Sequence, residues 1–123
     1  MHAYKISSPR RLWGASPPAV FYLVAVVFLS QPANAKPREM TLIIKDHRFV
    51  PVELRIPAGE KIKLIVKNQD PTAEEFESYE LNREKIIGAG RTATIFIGPL
   101  KPGSYPFFGE FNPDTAQGRI VAE

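Results

Sequence analysis

Beyond residue 40 the chain repeatedly alternates apolar and polar residues with a period of two. The clearest stretch is KIKLIVK (61–67): Ile62, Leu64 and Val66 share one face, and Lys61, Lys63 and Lys67 share the other. A strand with that pattern packs one face and wets the other. MTLIIK (40–45), VELRI (52–56), ATIFI (93–97) and GRIVA (118–122) are further short runs rich in β-branched residues. PAGE (57–60), KNQDPT (67–72), GAG (88–90) and KPG (101–103) punctuate them with turn formers. Pro106, inside SYPFF, marks an edge strand or a bulge because it cannot donate to a ladder. No segment sustains a helical period. Seven or eight short strands at this spacing predict an all-β antiparallel sandwich or Greek-key barrel. Its core is expected from Leu54, Ile56, Ile62, Leu64, Val66, Phe76, Ile95, Ile97, Tyr105 and Phe107.

The first 35 residues do not follow this pattern. Lys5, Arg10 and Arg11 stand in a head without acids, AVFYLVAVVFLS (19–30) is uniformly apolar, and the segment ends in Ala33-Asn34-Ala35. This is the layout of a secretory signal cleaved after Ala35. The apolar run is shorter than the ~20 residues a spanning helix needs, although an uncleaved anchor is the alternative. Arg10-Arg11 leaves the export route open between the general and twin-arginine systems. The expected organisation is a leader at 1–35 and one domain at 36–123.

Removing the leader changes the charge. The full chain has 16 basic and 13 acidic residues, net +3; the leader holds three of the bases and none of the acids, so residues 36–123 are formally neutral. A nucleic-acid partner, which needs a basic face, loses its support. There is no cysteine. Disulfide staples, thiol catalysis and thiolate-bound metal are therefore excluded, and the fold must rest on its apolar core.

The segments FVPVELRIPAGEKIKLIVKNQD, EEFES and GAGRTATIFIGPLKPGSYPFFGEF follow one another in an order that resembles the cupredoxin pattern over about residues 42–122. The resemblance is strongest to the EfeO-type domains, periplasmic partners of bacterial iron permeases. It implies a cupredoxin-like sandwich, a periplasmic location and a role in iron uptake beside a membrane permease. It also sets Glu74 at the first His of the copper pattern, Gly109 at the Cys, Asn112 at the second His and Gln117 near the Met. Type 1 copper needs imidazoles and a thiolate, so no such centre is expected in this chain.

Oxygen donors stand in place of the soft ligands. DPTAEEFESYELN (70–82) carries Asp70, Glu74, Glu75, Glu77 and Glu80 and no base. If 74–79 is a strand with Phe76 inward, Glu74 points inward too, and Glu75 and Glu77 share the opposite face. A buried carboxylate is costly unless it is paired or holds a metal. Glu74 is therefore either a ligand or the partner of Arg83 or Arg91. Asp46-His47 supplies the one imidazole after the leader, and Glu110 and Asp114 add acids to the loop. The candidate metal ligands are Glu74, Glu75, Glu77, Asp46, His47 and Glu110. Carboxylates with one imidazole favour iron or manganese, less so calcium; divalent copper binds most such sites. Three functions are compatible with this reading: a metal carrier serving an iron permease and its uptake components, a ferroxidase, and a metal-free interaction module.

Overall fold

The computed structural model describes residues 9–11, 13–19, 25 and 36–123. Most of the expected leader, including nearly all of its apolar stretch and its Ala-Asn-Ala end, lies outside them. The described part of the leader contains no helix or strand.

Nine strands follow: β1 Arg38–Lys45, β2 Arg48–Val50, β3 Glu53–Ile56, β4 Ile62–Asn68, β5 Glu74–Ser78, β6 Arg83–Ile87, β7 Thr92–Ile97, β8 Gly103–Phe108 and β9 Gln117–Ala122. They form a four-stranded sheet in the order β2-β1-β4-β7 and a five-stranded sheet in the order β3-β9-β8-β5-β6. The β-sandwich expected from the sequence is present. Two of its pairings, β1 with β4 and β3 with β9, are parallel. Periodicity specifies which face of a strand packs but is silent on direction, which is why an antiparallel arrangement was expected. The additional strands are β2, only three residues long, and β6, whose REKII sequence has no alternation to mark it.

The two sheets enclose a single core. Leu42, Ile44, Leu64, Val66, Ile95 and Ile97 come from one sheet, and Leu54, Ile56, Phe76, Phe107 and Ile120 from the other, all buried. Tyr105 only packs against the edge of this cluster, and its hydroxyl donates to Lys101 O (2.8 Å) at the surface. The Phe49 ring meets Phe107 edge-on at 4.9 Å and Phe76 at 6.2 Å, the favoured geometry for aromatic quadrupoles. Leu64 is essentially inaccessible to solvent, so truncation to Ala leaves a cavity and costs about 2–5 kcal/mol.

Two polar devices position the site at one end of the sandwich. The first is Asn68, buried at the end of β4. Its Nδ2 donates to the carbonyls of Thr72 (2.8 Å), Ile87 (3.0 Å) and Gly88 (3.2 Å), and its Oδ1 accepts the N–H of Asp70 (2.9 Å). One side chain thus ties the β4–β5 loop to the end of β6 and fixes where Asp70 emerges. The second is the β1–β2 hairpin, closed by only Asp46 and His47 between the paired residues Lys45 and Arg48. Both loop residues have positive φ, 54° and 56°. This is the twist of a type I′ turn, usually built from Asn and Gly.

Candidate metal centre

An Asp-His pair in left-handed geometry requires compensation, and Asp70 supplies it. Its Oδ1 accepts the N–H of Asp46 (2.7 Å) and its Oδ2 the N–H of His47 (3.0 Å). Burial by itself would raise the Asp70 carboxyl. The two backbone N–H donors, with help from Glu74 and His47, hold it below its usual value of 3.8. Asp70 is thus an ionised, buried carboxylate that clamps the hairpin tip over the end of β5.

The clamp brings His47 onto Glu74. His47 Nδ1 lies 2.5 Å from Glu74 Oε1 and 3.7 Å from Asp70 Oδ2. Pairing with a carboxylate places the ring proton on Nδ1. The other Glu74 oxygen, Oε2, accepts from Asn112 Nδ2 (3.1 Å) in the β8–β9 loop. One donor atom each from His47, Asp70 and Glu74 falls within 4.8 Å of the others. Glu74 and Asp70 form the buried floor, and His47 forms a half-exposed edge.

Alternation along β5 turns Glu75 and Glu77 to the opposite side of the sheet. There they meet Glu110, again with donor atoms within 4.8 Å of one another. The Glu110 N–H donates to Glu75 Oε2 (3.1 Å), and Glu84 stands directly across from Glu77 on β6. Glu77 Oε2 is buried without a hydrogen-bond partner. Burial and then the neighbouring acids Glu84, Glu77 and Glu110 push the Glu75 carboxyl up against the Glu110 N–H, which pulls it down. Burial, Glu84 and Glu110 push up Glu77. The field of Glu77 foremost raises the Tyr79 phenol.

The six candidate ligands therefore divide. Glu74 and His47 are together at the pole; Glu75, Glu77 and Glu110 form a second group on the outer face. Asp46 is exposed and contributes its backbone N–H rather than its carboxylate. Asp70, which the sequence offered only as one acid among five, takes the position next to His47. Glu74 pairs with neither Arg83 nor Arg91: the Arg83 guanidinium donates to the carbonyls of Phe96, Leu81 and Asn82.

The copper pattern is also answered position by position. A Cβ added at Gly109 would lie 2.9 Å from the Glu75 carbonyl oxygen and 3.0 Å from Ala116 Cβ. Gly109 is therefore the contact that lets the loop lie on β5. Gln117 is exposed, and its Nε2 donates to Pro113 O (2.8 Å) instead of facing Glu74. With no cysteine in the chain and no room for a side chain at 109, the residues present do not fit a type 1 copper ion.

The protein is 51% identical over 83 residues to an uncharacterized protein, RP394, of Rickettsia prowazekii (strain Madrid E), covering 68% of this chain. It spans 66% of that relative's length, just under two thirds. Among solved structures it is similar to auracyanin A, a blue copper protein from Chloroflexus aurantiacus, at TM-score 0.62 and 13% identity, over 72% of this chain and 100% of the other. It is also similar to the metal-binding domain of the Cu(I)-exporting P-type ATPase CopA of Streptococcus pneumoniae D39, at TM-score 0.59 and 15% identity, over 69% and 84%. At such identities the likeness is one of fold, and that fold is shared with metal-binding proteins. A family model for the cupredoxin-like domain matches residues 18–122, so that with its two-sheet sandwich and a ligand loop emptied of thiolate this chain belongs to the cupredoxin-like domain family.

Proposed function

We propose that the protein is an exported metal carrier of the EfeO type, which binds iron at the His47–Asp70–Glu74 pole in the periplasm and serves a membrane iron permease. The observation that carries this reading is the convergence of one imidazole and two buried carboxylates at one end of the sandwich. Two carboxylates and a neutral imidazole carry two negative charges and so balance a divalent ion. Oxygen donors with one nitrogen suit ferrous iron or manganese, and the absence of thiolate removes preference for soft monovalent copper. Carboxylate and imidazole donors ligate only in their unprotonated forms, so affinity falls as the medium is acidified. A ferroxidase would need a redox partner for which this donor set offers no second soft site.

One observation favours a metal-free module instead: without an ion, Glu74 already has His47 and Asn112 as partners. Titration calorimetry of the protein with ferrous iron, ferric iron, manganese and divalent copper decides between the two. Saturable binding of ferrous iron or manganese that is lost in Glu74→Gln supports the carrier. Equal, weak heats for all four ions reduce the protein to an interaction module.

A further inference from the structure

The two outer faces of the sandwich carry opposite charge. On the four-stranded sheet, alternation turns Ile43 and Lys45 of β1 outward beside Lys63, Ile65 and Lys67 of β4. Strand pairing sets Lys67 next to Ile43, Arg48 next to Lys45, and Lys63 between Glu39 and Phe96. Lys36 and Lys61 join Lys63 along a groove that Phe96 also lines. Glu39 is the one acid among the strand residues of this face, and it is paired with Lys63 (3.1 Å). Lys45, Arg48, Lys61 and Lys67 are exposed and enter none of the ion pairs among the described residues. On the five-stranded sheet Glu75, Glu77 and Glu84 turn outward beside Glu110, equally without a basic partner.

Residues 36–123 are formally neutral, so only this separation of signs draws the domain to an anion. The separation is effective. Packed sheets lie about 10 Å apart, so the acids sit more than a Debye length of about 8 Å from anything resting on the lysine face. Apolar side chains are interleaved with the cations. Val50 and Phe96 are exposed, Ile43 and Ile65 are half-buried, and Lys61 Nζ lies 5.1 Å from the Phe96 ring centroid. Lysine stems lie along such a surface while their ammonium groups reach outward. All the cations but Arg48 are lysines, point charges without the fork that selects one carboxylate of fixed geometry. A second copy presenting its acids is disfavoured by magnitude. Each exposed ion pair adds about fivefold at best, too little to offset the freedom lost in a rigid complex. A bilayer demands no preset geometry, and each basic residue at an anionic surface adds about fivefold to partition.

We infer that the outer face of the four-stranded sheet docks the protein on a bilayer containing anionic phospholipid. Lys36, Lys45, Arg48, Lys61, Lys63 and Lys67 lie over the head groups, and the Glu75 side of the sandwich is turned to water. Lys36 is also where the chain passes from the expected leader into the domain, so the segment expected to meet the membrane during export is joined to it at this face. No candidate ligand takes part, so docking and metal binding succeed or fail independently.

The chain has no cysteine, so a single nitroxide label can be attached at Thr94→Cys, exposed on the lysine face, or at Ser104→Cys, exposed on the opposite sheet. The full chain is mixed with vesicles of equal parts phosphatidylcholine and phosphatidylglycerol, and access of a water-soluble nickel chelate to the label is read by paramagnetic relaxation. Reading the label keeps insertion of the leader from counting as docking. Access at 94 is expected to fall several-fold while access at 104 stays unchanged. Vesicles of phosphatidylcholine alone, or high salt, should leave position 94 open. Lys45→Gln/Lys67→Gln should raise by about 25-fold the vesicle concentration needed for the fall at 94. Access at 94 unchanged by the anionic vesicles, or lost equally at 104, overturns the proposal. Shielding of both labels at high protein concentration without vesicles also overturns it, because copies would then be stacking basic face on acidic face.

Discussion

Glu74 and Glu75 are neighbours in the chain, the same residue type, and buried to the same degree, 1% and 2% exposed. Their surroundings differ in every other respect. Glu74 faces the interior pole, where an imidazole and an amide meet its two oxygens. Glu75 faces outward into a group of like charges, with one backbone N–H as its donor. Burial alone is therefore no guide to what a carboxylate does. The partners brought by other strands decide it, and the pleat of β5 assigns each glutamate to its set. A third acid, Glu53, marks the opposite extreme on the outer face of the same sheet. Hydrogen bonds and charge from Arg119, then Arg55, draw its carboxyl below 4.5 against the effect of burial.

The comparison is sharpest in metal affinity. Glu74→Gln keeps the shape and removes the charge of the proposed ligand, and is expected to weaken ferrous iron or manganese binding by about 100-fold or more, beyond what supporting residues usually give. Glu75→Gln should leave affinity within about twofold, both read by calorimetry. A large loss in Glu75→Gln would mean that the two groups act as one site.

Stability gives the next contrast. Asp70→Asn replaces a charged acceptor of two N–H groups and presents an amide donor to the hairpin tip; it should cost about 1–3 kcal/mol in denaturant unfolding. Glu77→Gln relieves the unpartnered oxygen facing Glu84, so its unfolding midpoint at neutral pH should stay level or rise. A fall in that midpoint would show that the outer acids are satisfied by something other than relief of charge.

The smallest effect is in the dependence on pH. Asp70 is depressed on folding, so the stability it contributes is present above its ordinary value of 3.8 and is lost as pH falls through its lower folded value. Glu75 and Glu77 are raised on folding, so the folded state holds their protons more tightly than the unfolded chain does. Stability therefore declines as pH rises from about their ordinary 4.5 through their folded values. The parent should be most stable in mild acid, and the double variant Glu75→Gln/Glu77→Gln should flatten the neutral side of the curve without touching the acid side. An unchanged neutral side would sink the assignment.

These contrasts also show how far the sequence could be read. The alternation in 61–67 identified β4 and its buried face, and parity around Phe76 correctly set Glu74 apart from Glu75 and Glu77. Those are local properties carried by adjacent residues. Asp70 as the partner of His47 was not legible, because it depends on Asn68 folding one loop and a two-residue hairpin closing another. The parallel pairings and strand β6 escaped for the same reason, since direction and partner are settled between distant segments. One signal was present in the sequence: Asn68 and Asp70 two apart, the spacing of a side chain that caps its own turn.

Gly109 has a consequence for protein engineering. Installing a blue copper centre here looks like a matter of restoring four ligands, beginning with Gly109→Cys. Yet the new Cβ would enter at 2.9 Å from a backbone oxygen and 3.0 Å from the Ala116 methyl, and backbone cannot swing aside as a side chain can. A designer would have to lift the whole β8–β9 loop off β5, giving up the Glu110 N–H to Glu75 bond and the Gly109–Ala116 closure (2.9 Å) at the same time. The passage from this loop to a thiolate centre is a change of backbone before it is a change of ligands, and substitution at the four positions alone should yield a colourless, destabilised protein.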